Sequence, residues 1–108
     1  MYFWGKLMVK HKDFLRIEVS NVKITKVAKA GTLESNDILI MVKPNEFEKT
    51  ELELESIVMQ QFGEVIAQVI LHKVQEMGIE GISIKAQDKG ALDYTIAARV
   101  ETAINRAM

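Results

Sequence analysis

Cysteine is absent from the 108 residues of this chain. That excludes disulfide staples, thiolate metal ligands and a cysteine nucleophile, and it fits a reducing compartment such as the cytoplasm. Histidine occurs twice, as His11 in the N-terminal segment and as His72, which has no serine or carboxylate at a spacing that suggests a proton relay. Acid–base catalysis therefore has little to work with, and His72 reads as an ordinary helix-surface residue. The glycines are scattered without the spacing that cradles phosphate, and no loop has calcium-ligand spacing. Nowhere does an apolar run reach the roughly 20 residues that cross a membrane. The N-terminal start, Met1-Tyr2-Phe3-Trp4, is interrupted by Lys6, Lys10 and Lys12 before a signal-peptide core of about 7–15 apolar residues can form. With a formal net charge of -1, no general pull toward nucleic acid or a membrane surface arises. These absences predict a soluble, cytoplasmic chain that binds neither nucleic acid nor membrane and holds no metal.

What is present is apolar residue in quantity, 48% of the chain, enough for one small packed core. The run Ile38-Leu39-Ile40-Met41-Val42 reads as a strand, and Glu51-Leu52-Glu53-Leu54-Glu55 alternates as a strand with one wet face. The turn formers between them, from Pro44 to Lys49, suggest a hairpin loop. Ser56 stands where a helix N-cap belongs. After it Val58, Phe62, Val65, Ile66, Val69, Ile70, Val74 and Met77 recur at spacings of three and four, and Gly78 supplies the stop. A third strand, Ile82-Ser83-Ile84-Lys85-Ala86, is broken by Asp88-Lys89-Gly90, and Leu92, Ile96, Val100, Ala103, Ile104 and Ala107 mark a second helix. The order strand, strand, helix, strand, helix predicts an α+β two-layer sandwich, a small, mostly antiparallel sheet covered by two helices. Phe62, Ile66 and Ile70 are expected to face Val100 and Ile104 or the sheet. Gly63, which costs about 1 kcal/mol in a helix relative to alanine, implies close packing against a neighbouring element. Residues 1–22 read as an N-terminal extension of uncertain order, with 14–19 as a candidate edge strand, and residues 23–108 as the domain proper.

Two features remain as carriers of chemistry. Glu46, Glu48, Glu51, Glu53 and Glu55 make an acidic run, most simply a solvated strand face and alternatively a partner surface. Ser35 sits in the small polar turn Ala30-Gly31-Thr32-Leu33-Glu34-Ser35-Asn36-Asp37, pinned to the start of a strand. On its own a turn serine usually satisfies backbone groups. Together with Gln61-Phe62-Gly63 and Asp88-Lys89-Gly90-Ala91-Leu92-Asp93, in this order and with similar gaps, the block resembles the acyl carrier protein (gamma chain) family of citrate lyase. The resemblance runs from about residue 23 to 107. One departure is Tyr94, where many members of that family have cysteine; its place in the second helix is expected to lie away from the functional turn.

The resemblance implies a non-catalytic carrier subunit. Ser35 would be the covalent attachment site of a prosthetic group, 2'-(5''-phosphoribosyl)-3'-dephospho-CoA, joined through a phosphodiester, which makes the chain a phosphoprotein. The arm's thiol would carry acetyl and citryl thioesters between the transferase (alpha) and lyase (beta) subunits as citrate is cleaved to oxaloacetate and acetate. A separate prosthetic-group transferase would install the arm. Asn36 and Asp37 suit a turn that bonds back to its own backbone, and Glu34 and Asp37 are expected to hold an anionic arm away by like-charge repulsion. The four-helix phosphopantetheine carriers, whose serine follows aspartate and opens a helix, do not fit. The carrier subunit of malonate decarboxylase, with the same kind of arm, is the near alternative. From another class, a small α+β regulatory or ligand-binding module would need a pocket with converging polar groups.

Overall fold

The protein's computed structural model describes residues 6–11 and 22–108. In chain order these form β1 (Lys6–His11), β2 (Val22–Lys23), β3 (Ala28–Ala30), β4 (Ile38–Pro44), β5 (Thr50–Ser56), α1 (Met59–Glu76), β6 (Ile79–Glu80), β7 (Ile82–Asp88) and α2 (Asp93–Ala107). The predicted α+β sandwich is present. A five-stranded sheet of order β1-β5-β7-β4-β3 carries both helices on one face, and β2 and β6 form a short parallel pair beside it. Three of the sheet's four pairings are antiparallel, and β5 with β7 is parallel.

The alternation in each strand sets its two faces. Ile38, Ile40 and Val42 of β4, Leu52 and Leu54 of β5, and Ile82, Ile84 and Ala86 of β7 are buried on the helix side. They meet in register, Ile40 opposite Ala86 and Ala86 opposite Leu54. From the helices, Ile66, Ile70 and Val74 of α1 and Ile96, Val100 and Ile104 of α2 close the same core. The acidic strand behaves as its alternation predicts, with Glu51, Glu53 and Glu55 half-buried on the opposite face. The Ser83 hydroxyl donates to Glu51 at 3.2 Å and the Gln87 amide to Glu55 at 3.4 Å.

Several expectations need correction. The segment between β4 and β5 is not a hairpin, because β7 lies between those two strands. Strand β5 leads through α1 into a parallel neighbour, a crossover that seats β7 directly beside β5. The loop of residues 45–49 must then span two strand spacings, about 10 Å. It does so over the start of β7, where Asn45 N–H donates to Gly81 O and the Asn45 side-chain amide bonds Lys49 O and the Ser83 hydroxyl. Phe62 is not in the core; it is 52% exposed and Val65 45% exposed, so the buried stripe of α1 is narrower than the apolar one. Finally, α1 begins at Met59, after Ser56. Gly63 makes room within its own helix, for an added Cβ would collide with the Met59 sulfur one turn earlier. Gly78 ends α1 as expected, at φ +69.

Part of the stretch set apart as an extension contributes to the sheet. Lys6–His11 pairs antiparallel with β5 from Lys6 opposite Glu55 to His11 opposite Thr50. The candidate strand at 14–19 lies outside the described residues. A chain beginning at Val22 should still fold, because the buried core runs from Ile24 to Ala107. It should lose roughly 1–3 kcal/mol in a denaturant melt for the missing ladder bonds, and the glutamates of β5 should keep the uncovered edge from pairing with other copies.

Candidate functional site

Ser35 is exposed at the tip of the connection between β3 and β4. Asp37 N–H closes a turn back to Glu34 O at 3.2 Å, and Asn36 supplies the left-handed residue that turn requires, at φ 67. Asparagine tolerates that conformation better than most residues do. On the approach, the Thr32 hydroxyl accepts the Glu34 N–H at 3.1 Å and donates to Asp37 Oδ2 at 2.7 Å. The serine is thus presented by a braced turn.

The bracing comes from the far half of the chain. Asn36 N–H donates to Lys89 O and Lys89 N–H to Asp37 O, both at 2.8 Å. Arg99 of α2 grips Asp37 with two parallel bonds, Nε to Oδ1 and Nη2 to Oδ2, each 3.0 Å. Ile38 N–H adds a bond to Oδ1 at 2.7 Å. Asp88, itself buried, pins the loop that carries Lys89. Its Oδ2 accepts from the Ser56 hydroxyl at 2.7 Å and Gly90 N–H at 3.1 Å, and its Oδ1 from Ala91 N–H at 3.0 Å. Ser56 in turn accepts the Val58 N–H, so it serves the turn before α1 and not a helix cap. Ile38 and Ser56 both pair with Asp88 in the sheet. The start of β4 and the ends of β5 and β7 therefore meet at one end of the sheet, beneath Ser35. Gly31, at φ +94, leaves the space this needs, for a Cβ there would collide with Ile38 O and press on the Arg99 stem.

The Arg99 hydrogen bonds, helped by those from Thr32 and Ile38 and opposed by burial, lower the pKa of Asp37 from 3.8 to about 2. A carboxyl depressed in the folded state stabilises above its unfolded pKa, and that contribution is lost as pH falls through the folded one. Arg99 is 40% exposed, so solvent reduces the full linkage value to about 1–2 kcal/mol. Asp37→Asn should accordingly lower the melting temperature near neutral pH and flatten its dependence between pH 3.8 and 2; thermal melts across that window check it.

Asp37 is thus buried and neutralised, which corrects its expected part in repelling an anionic arm; Glu34 alone of the pair remains exposed. Tyr94, expected to lie away from the turn, stands in the first turn of α2 at the same end of the sheet, 74% exposed. His72 is exposed on α1, and among the described residues no group of histidines and carboxylates converges as metal ligands. Nor is any helix among them long and apolar enough to cross a membrane. Of the other serines, Ser56 and Ser83 are committed to internal hydrogen bonds, and Ser20 lies outside the described residues. Sequence reasoning passed over Arg99, and it cited Asp88 and Thr32 only within longer blocks, with no bracing role of their own. The block Asp88-Lys89-Gly90 was the one visible signal, read as a strand break when it is also the loop's anchor.

Comparison with known proteins bears on this geometry. The family model described as "Malonate decarboxylase delta subunit (MdcD)" matches residues 25–107. The citrate lyase acyl carrier protein of Halothermothrix orenii is 45% identical over 86 residues, covering 80% of this chain and 90% of the relative. That of Vibrio cholerae is 46% identical over 86 residues, covering 80% and 88%, and that of Streptococcus mutans 45% over 84 residues, covering 78% and 82%. In fold, the chain is similar to one in the crystal structure of a Pseudomonas malonate decarboxylase hetero-tetramer in complex with malonate. The TM-score is 0.72 at 14% identity, with 95% of this chain and 98% of that one covered. Identity near one half with named carriers, over most of both chains, makes this chain a member of the citrate lyase acyl carrier protein family.

Proposed function

We propose that Ser35 bears a covalent phosphoribosyl-dephospho-CoA arm through a phosphodiester, and that the chain serves as the carrier subunit of a citrate lyase assembly in the cytoplasm. The observation that carries the reading is the placement of an exposed hydroxyl on a turn whose neighbours are all fixed. A group attached there leaves directly into solvent without displacing any part of the core. When attached, the arm supplies the thiol that holds acyl groups. The chain's own residues supply a firm base, and tethering replaces diffusional encounter by a high local concentration at each active site. The partners on this reading are the transferase (alpha) and lyase (beta) subunits and the prosthetic-group transferase that installs the arm. Intact mass and peptide mapping of protein from its native host test it. The added mass should fall on the peptide containing Ser35; a bare-chain mass in an active complex would refute it.

A second reading, the carrier of a malonate decarboxylase, is favoured by the family model and the fold likeness. Co-purified complex that acts on malonate and not on citrate would establish it. The small ligand-binding module finds less support. The groove on the open sheet face is lined by Met41, Lys43, Glu51, Ser83 and Lys85, and Glu51 and Ser83 are already bonded to each other.

A further inference from the structure

We propose that Arg99 is the positioning residue for Ser35. It fixes the presenting turn in the one conformation that the arm-installing enzyme accepts. The proposal rests on the reading of Ser35 as the attachment site.

Two observations carry it. The first is where the clamp acts. Asp37 is the last residue of the turn and lies two positions after Ser35. Thr32, which also holds its carboxylate, belongs to the same loop and would move with it; Ile38 is only the next residue of the chain, and the bonds to Lys89 hold the backbone of the turn and not this side chain. Arg99 is 62 positions away on α2, a helix seated in the core by Ile96 and Val100 on either side. Through Nε and Nη2 the loop is therefore referred to a rigid body. A planar guanidinium binding in parallel fixes direction as well as distance, which a lysine cannot do. The second observation is that Gly31, which its φ of +94 and the closeness of Ile38 O already require, also leaves room for this side chain. A Cβ on Gly31 would lie 3.3 Å from Arg99 Cδ, so the glycine that opens the loop also accommodates the stem that holds its far end.

A serine already bearing its arm needs little orientation, because the arm is long and flexible. A bare serine must bring its own oxygen in line with the donor's phosphorus. There a new O–P bond forms as the donor's bond to its phosphate or pyrophosphate leaving group breaks, and the hydroxyl proton passes to a base of the installing enzyme. Arg99 should therefore matter to loading of the apo chain. If its loss leaves the turn in the accepted conformation only a tenth of the time, the apparent KM of the installing enzyme for the carrier rises about tenfold at unchanged kcat.

The test compares wild type, Arg99→Gln and Arg99→Lys as apo chains, with Ser35→Ala as the blank. Two measurements are made: amide exchange, and loading kinetics with the prosthetic-group transferase and its donor, followed by intact mass. Arg99→Gln should speed exchange at Asn36, Asp37 and Lys89 about tenfold while Ile70 and Ile104 stay protected, and it should raise KM with kcat held. Arg99→Lys should fall between. Unchanged exchange at those three amides, or exchange that rises equally in the core, would overturn the proposal; so would unchanged KM despite a loosened turn. If wild type gains mass on a residue other than Ser35, the attachment reading fails, and the exchange measurement still decides whether Arg99 orders the turn.

Discussion

Ser35→Ala should yield a chain that folds and assembles like wild type yet never gains the mass of the arm, and the complex built with it should show no lyase turnover. An exposed turn residue whose role is not structural changes stability by no more than about 0.5 kcal/mol, so the melting curve should overlay that of the parent. The contrast with neighbouring hydroxyls sharpens the test. Thr32 and Ser56 brace the turn and its foundation, so their removal should loosen the site without abolishing attachment. Peptide mapping separates the cases. Arm-sized mass on Ser56, Ser83 or Ser20, or an active alanine variant, would refute the assignment.

Ile66→Ala should cost about 2–5 kcal/mol, the range for a large aliphatic truncated in a packed core. Ile66 is 3% exposed and packs in the cluster that also holds Ile70, Val100 and Ile104. Phe62→Ala, one turn earlier on the same helix, should cost well under half as much, because Phe62 is half in solvent and its burial contributes little. Urea melts of the apo chain measure both. A cost below about 0.5 kcal/mol at Ile66 would mean that the core relaxes around the cavity far more than close packing allows.

The pair of residues marks how far the sequence could be read. Spacing of three and four identifies a helix and its apolar side, but Phe62 and Ile66 have the same period and differ only in what lies opposite. That is a tertiary fact. The strands were legible for the same reason: alternation in β5 and β7 names their faces wherever one face is buried. Strand order was not, since the insertion of β7 between β4 and β5 depends on the crossover through α1 and leaves no mark in residues 45–49. At the site, Ser35 and its turn were visible from local chemistry and from family blocks. Arg99 was not. It lies on the boundary of the α2 stripe among ordinary polar positions, and its partner is 62 residues away. Asp88 was visible as a strand break and as the first residue of a family block, but not as the carboxylate that pins the loop.

The bracing beneath Ser35 has a consequence for timing. Its bonds link Asn36 with Lys89, Ser56 with Asp88, and Asp37 with Arg99, separations of 53 (from 36 to 89), 32 and 62 positions. Closing such long loops comes late in folding, after locally paired elements have formed. A chain still emerging, or one stalled with α2 undocked, has its serine but not the frame around it. If Ser35 is the attachment site proposed above, readiness to be loaded coincides with completion of the fold, and a half-built carrier would offer an arm-installing enzyme no proper target.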